Sequence, residues 1–379
     1  MVKNTFMRKT DMVSKRNITG TCNCISPVQQ LELSKLLPSN VMPVAEDIPD
    51  ADVNDAQTIS LKLRFIVLQG TVDIATDVYI ADNVRYLNEA VSATNFSELS
   101  MIPVNFQETI GDANMVFIVE KIVKVENVNE KFSSLREVVS VFGEYATGGN
   151  INVFVCDLQE PLLGEAFFGG NVMCIHNATV GSPTRPNFYG NTIVNRGKTL
   201  VHELGHCMGL LHTFTNGKLC VPVFQDIPAQ QEPNGAAQLI YNPATGTFFP
   251  WLDNRRRDCE APKLNKENSE PPYSCLSKLN LTCGQSFVSE AFFNFMDYTS
   301  DMVLITFSND QCDSMRKFVK KNMGIFGATL DTPLPAVTSA VVNTSKVRIG
   351  PEWLVAVVTT ILVFVFLVVI AVVATYNSI

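Results

Sequence analysis

Apolar side chains follow two rhythms along the first half of the chain. Leu61-Lys62-Leu63-Arg64-Phe65-Ile66-Val67-Leu68 opens with strict alternation and carries β-branched and aromatic residues, so it predicts a strand. Val78 to Ala93 shifts to a spacing of three and four, with Val84, Leu87 and Val91 on one face, and predicts a helix. Met115–Ile122 and Ile151–Val155 are two further apolar runs of strand length. The last run is different in kind. Trp353 to Thr375 has no charged residue and is dominated by Leu, Val, Ile, Phe and Ala. At ~1.5 Å per residue it can cross a hydrocarbon core of ~30 Å, and it predicts a transmembrane helix.

These runs divide the chain. Residues 1–56 are polar, basic at first and later punctuated by Pro38, Pro43 and Pro49. Residues 57–326 are long enough for one sizeable domain. Residues 327–351, rich in Thr, Ser, Val and Pro, read as a stalk, and 353–375 as the span. A net charge of −8 and the absence of a Gly-rich phosphate loop argue against a nucleic-acid partner.

Histidine is scarce, with four in 379 residues, and three of the four fall in the run His202-Glu203-Leu204-Gly205-His206-Cys207-Met208-Gly209-Leu210-Leu211-His212. On a helix, residues four apart stand one turn above another on one face, so His202 and His206 can present two imidazoles to one metal ion. Glu203 then sits beside it. His212 lies too far round a continuing helix to reach the same ion, so the helix must stop and turn back, and Gly209 permits that turn. Three protein ligands leave a zinc position open for water, whose pKa the metal lowers toward ~7, and a carboxylate can take the proton. The run therefore predicts a catalytic zinc site with ligands His202, His206 and His212 and with Glu203 as general base. The plainer reading, an amphipathic helix with incidental histidines, suits a lone histidine but not three at fixed offsets with Glu and Gly in place.

Downstream stands Asn294-Phe295-Met296-Asp297-Tyr298. An extended histidine run followed by a methionine turn is the metzincin signature, with Met296 as the apolar floor under the imidazoles. More closely, the chain resembles the pappalysin family of metzincins. His212-Thr213-Phe214, Asp226-Ile227-Pro228-Ala229-Gln230, the segment Asn294 to Tyr298, and Phe307-Ser308-Asn309-Asp310-Gln311 are each similar to segments of that family. The resemblance covers roughly residues 57–326, with its specific motifs from Thr199 onward. It implies an α/β (α+β) metzincin-like catalytic domain: a twisted mixed sheet, an active-site helix and a Met-turn. It implies a zinc endopeptidase acting on protein or peptide substrates, with Tyr298 swinging toward the metal or the tetrahedral intermediate. It also makes Leu163 to Phe168 the substrate-binding edge strand, with Gly164, Glu165 and Ala166 offering backbone groups to which a peptide can add as a further strand. Read alone, Met296 would be core, Tyr298 a half-buried aromatic, and Leu163 to Phe168 an ordinary edge hairpin.

The chain departs from that family after the Met-turn, where it reads Asp301-Met302-Val303-Leu304-Ile305 in place of an acidic, cysteine-containing stretch. A calcium ion is thus allowed by the resemblance but supported by no motif here. Cys22-Asn23-Cys24 offers thiolates, good zinc ligands, that could close the open position as a latency device; a disordered tail is the other reading.

No ordinary signal peptide is visible in residues 1–60, so the expectation is a single-pass membrane protein with a C-terminal anchor, in a viral or host internal membrane. Lys346 and Arg348 before the span favour a cytosolic protease, whereas ten cysteines, including Cys220, Cys259, Cys275 and Cys283, suit disulfides in an oxidising compartment. The side of the membrane stays open. The competing class is a catalytically silent membrane or envelope protein that uses the protease fold as an interaction scaffold.

Overall fold

The computed structural model describes residues 35–38, 41, 57–70, 74–102, 104–126, 131–190, 194–214, 223–228, 230, 237–242, 247–252 and 291–331. Residues 353–375, the stalk from residue 332 onward, and Cys22, Cys24, Cys220, Cys259, Cys275 and Cys283 lie outside the described residues, whereas 329–331, read from the sequence as stalk, form a strand of the folded domain. Among those that are described, no helix is long and apolar enough to cross a membrane. Cys156, Cys174, Cys207 and Cys312 are buried free thiols.

In chain order the elements are β1 (Thr58–Gln69), α1 (Asp77–Val91), α2 (Phe96–Leu99), β2 (Met115–Glu126), α3 (Leu135–Phe142), β3 (Ile151–Cys156), β4 (Gly164–Ala166), β5 (Val172–His176), α4 (Lys198–Cys207), a hairpin of β6 (Ala237–Asn242) and β7 (Thr247–Leu252), α5 (Asn309–Lys321), α6 (Met323–Phe326) and β8 (Thr329–Asp331). The four elements anticipated from apolar spacing are all present. α1 stops two residues before Ala93, because Thr76 caps its start, Ser92 its end, and Ala93 adopts φ 50°. β2 runs four residues past Ile122; as an edge strand it tolerates the lysines that break its apolar run. β5 was not anticipated. Its run Val-Met-Cys-Ile-His is short and apolar throughout, a pattern that periodicity alone cannot assign.

All the described strands but β6 and β7 form one mixed sheet in the order β2-β1-β3-β5-β4, with β8 pairing the start of β1. β1 is parallel to β2 and β3, and β3 to β5, whereas β4 runs antiparallel to β5 at the edge. Helices cover both faces. On one face, Leu61, Leu63, Phe65, Val153, Val155 and Ile175 pack against Ile80, Val84 and Leu87 of α1 and Leu200, Val201 and Leu204 of α4. On the other, Ile66, Leu68, Phe154, Val172 and Cys174 pack against Leu135, Val138, Val139 and Phe142 of α3. Burial on both faces is why β3, Asn152 apart, is apolar without alternation.

α5 is tied to this frame by a buried cation. Arg316 donates through Nη1 to the carbonyls of Ala113 (2.9 Å) and Asn114 (3.0 Å), and through Nη2 to that of Gln57 (3.1 Å), gathering the starts of β1 and β2. Replacing it with methionine keeps most of the volume and strands these acceptors. Arg316→Met is expected to lower stability by about 2–4 kcal/mol. A urea midpoint equal to that of the wild type would refute this tie.

Candidate active site

The sheet edge and α4 bring the motifs together. α4 ends at Cys207 and reverses through a Schellman turn. Gly209 adopts φ +82°, its N–H reaches the His206 carbonyl (3.0 Å), and the Leu210 N–H reaches that of Gly205 (2.9 Å). A side chain at Gly209 would strain this conformation and press on Phe318 of α5. The reversal returns His212 to the helix face carrying His202 and His206, and all three rings are buried.

Their geometry defines what the site can hold. The ligating atoms of His202, His206 and His212 lie within 4.8 Å of one another, and the His206 Nε2 is 3.1 Å from the Nε2 of each of the other two. His202 Nδ1 is 2.6 Å from the Phe295 carbonyl and His206 Nδ1 is 2.8 Å from the Leu210 carbonyl. A carbonyl only accepts, so Nδ1 carries the proton in both rings and the converging Nε2 atoms present lone pairs. Lone pairs crowded on one point call for a cation, and three buried neutral imidazoles suit zinc. His212 is fixed differently, stacked on Phe214 at 4.7 Å with an interplanar angle of 8°.

Beneath the imidazoles lies the turn Asn294–Tyr298. Met296 is fully buried, and a Cβ placed on Gly205 would stand 2.5 Å from its Sδ, so this glycine lets the methionine rise against α4. Tyr298 stands edge-on to His212 at 4.6 Å between ring centroids and 5.5 Å from His202. Two sequence-distant segments hold this turn. Asn294 and Gln311 exchange side-chain amide hydrogen bonds (2.7 and 3.0 Å). Gln230 Nε2 donates to Asp297 (3.2 Å). Asp226 accepts from Ser308 Oγ (2.8 Å) and the Asp310 N–H (3.0 Å) at the start of α5. The segments 226–230, 294–298 and 307–311 thus form one hydrogen-bonded support.

Glu203 faces the edge strand. A Cβ on Gly164 would fall 2.7 Å from Glu203 Cγ and Oε1, so the bare backbone of β4 is what admits this carboxylate. Among the described residues no strand pairs with the outer edge of β4. Glu165, expected to serve substrate, has its carboxylate turned to the Leu135 N–H (2.6 Å), where it stabilises the start of α3; burial raises its pKa and that hydrogen bond opposes the rise. Its side chain is structural, leaving its backbone, with those of Gly164 and Ala166, on the strand.

Sequence reasoning missed the carbonyls of Phe295 and Leu210 that orient the rings, and the contact of Gly205 with Met296. Backbone acceptors leave no trace in residue identity, whereas Gly205 was visible inside the histidine run.

No family profile matches the chain. It is 27% identical over 151 residues to the extracellular metalloproteases of Arthroderma benhamiae and Trichophyton verrucosum, a match covering 34% of this chain. The chain spans about half, 55%, of the length of these curated relatives. Among solved structures it is similar to mature mirolysin of Tannerella forsythia in complex with a cleaved peptide. The TM-score is 0.53 at 22% identity, over 71% of this chain and 94% of that one. A promirolysin mutant of the same organism gives 0.54 at 19% identity, over 84% and 94%. The mixed α/β fold is that of these metalloproteases.

Burial pushes the His206 imidazole down to about 4, with the Leu210 carbonyl opposing. In the unfolded chain it protonates near 6.5. Between these values the unfolded chain binds a proton that the folded one does not, so stability is lost as pH falls through the window, by roughly 3 kcal/mol. The metal-free protein is expected to unfold at lower urea at pH 4.5 than at pH 7.5, and His206→Gln to shrink the difference. An equal difference in that variant would assign the effect to another group.

Proposed function

We propose that this chain is a zinc-dependent metalloendopeptidase of the metzincin type, resembling the pappalysins, and that the apolar stretch Trp353–Thr375 tethers it to a membrane. One juxtaposition carries the reading: three imidazole lone pairs meet at a point while the Glu203 carboxylate lies against the bare backbone of Gly164 on an open sheet edge. Ligand site, base and a place for an extended peptide stand side by side. The fungal relatives and the mirolysin fold lend support.

A zinc ion held by His202, His206 and His212 supplies Lewis acidity, which makes water a usable acid near neutral pH. The chain's own residues do the rest. A peptide adds to the outer edge of β4 by main-chain hydrogen bonds, which suits a strand whose one charged side chain, Glu165, is engaged elsewhere. The strand presents the scissile bond beside Glu203, which removes the proton of the attacking water and passes it to the leaving amine. Tyr298, packed against His212, offers its hydroxyl to the developing oxyanion. Buried hydrogen bonds to Phe295 and Leu210 keep the imidazoles oriented throughout. Three ligands among the described residues is the count of a site that keeps a position open, which favours an enzyme over a silent scaffold.

Cleavage of a mixed peptide library, with zinc content measured alongside, tests the reading. Glu203→Ala is expected to retain the fold and about one zinc per chain while losing at least roughly a hundredfold in turnover. Undiminished turnover in that variant would overturn the role of Glu203, and a wild-type protein that binds zinc but cleaves nothing would favour the scaffold.

A further inference from the structure

α4 lacks the usual means of starting a helix. Its N-cap is Gly197 at φ 80°, with no side chain to accept first-turn N–H groups. Its first residue is a lysine, the wrong sign for the positive end of the helix dipole. Both deficits are corrected by the loop that follows the Met-turn. Asp301 accepts the Arg196 N–H (2.8 Å) and that of Lys198, bringing the missing acceptor and negative charge. The Lys198 side chain, fully buried, donates to Glu98 Oε1 (2.8 Å) and Oε2 (2.9 Å), to the Leu304 carbonyl (2.6 Å) and to the Tyr86 hydroxyl. Tyr86 donates its own hydroxyl hydrogen bond to Glu98 (2.7 Å). The three ammonium donors are therefore used, on α1, α2 and the post-turn loop.

Lys198 and His202 are four residues apart, on one face of α4. That face meets the Met-turn in three successive contacts. The Lys198 ammonium lies 5.6 Å from the Phe295 ring centroid, His202 Nδ1 is 2.6 Å from the Phe295 carbonyl, and Gly205 abuts Met296. A slip of the first turn would be carried along a rigid helix to both imidazoles.

We infer that Lys198, clamped by Glu98 and the Leu304 carbonyl, is a positioning residue that sets the height and rotation of α4 over Met296 so that the three Nε2 atoms converge. This rests on the zinc reading above. A buried ion pair contributes little net stability, and replacing both charges with neutral groups of similar volume is often harmless; its better-attested use is to specify register. Zinc affinity and fold stability should therefore respond differently to its removal.

The test uses the full chain, with zinc affinity measured by competition against a chromophoric chelator, the visible spectrum of the Co2+-loaded protein as a reading of ligand geometry, and thermal unfolding without metal. Lys198→Met is expected to weaken zinc binding about tenfold or more and to lower the unfolding midpoint, since it leaves Glu98 buried without its cation. The double variant Lys198→Met with Glu98→Gln is expected to unfold within about 3 °C of the wild type. It should still bind zinc about tenfold more weakly, with an altered Co2+ spectrum. A double variant with wild-type zinc affinity and spectrum would overturn the inference, and so would one that fails to fold, which would assign the pair to the fold alone. A wild-type chain that binds no zinc would instead defeat the metalloprotease reading itself.

Discussion

The His206 Nε2 lone pair stands 3.1 Å from those of both His202 and His212, so the three repel unless a cation lies between them, and the contact between α4 and the Asn294–Tyr298 turn holds them there. The turn acts on α4 from below through Met296 against Gly205, and from the side through the Phe295 carbonyl on His202. The Schellman reversal at Gly209 then completes the set with His212. Each contact is short-ranged, so the arrangement needs a support that does not move. The sheet and α5 provide it, with Arg316 binding α5 to the first strands and the Asn294–Gln311 amide pair binding the turn to α5.

The same closeness of packing ties recognition to chemistry. β4 is only three residues long and lies at the sheet edge, yet its first residue touches the carboxylate proposed as base. A side chain at Gly164 would push Glu203 aside, so one glycine serves both an open strand for the peptide and room for the acid. Glu165, one residue on, turns away to the start of α3 and leaves recognition to the main chain.

Buried charge does most of the long-range joining. Arg316, Lys198 and Asp301 each reach backbone groups or partners remote in sequence, and each satisfies groups that would otherwise be stranded away from water. The segments 226–230, 294–298 and 307–311, which looked like separate motifs along the chain, are parts of one polar network. The identities of Asp226, Gln230, Asn294, Asp297, Ser308 and Gln311 follow from their mutual hydrogen bonds.

Local rules were enough for the strands and helix with a clear period, for the ligand triplet, and for the glycine that turns the chain between His206 and His212, because helical spacing and backbone conformation act over a few residues. β1, α1, β2 and β3 were legible for that reason, while β5, a brief unbroken apolar run, was not. Whereas Met296 was marked only through the resemblance, residue identity also marked Glu203, the acid inside the histidine run. It could not say that Glu165 would cap α3, that Phe295 and Leu210 would lend carbonyls to the imidazoles, or that Lys198 would find Glu98 and Leu304. Those pairings join residues far apart in the chain, through backbone atoms common to every residue or through charges that read as ordinary surface groups until packing buries them.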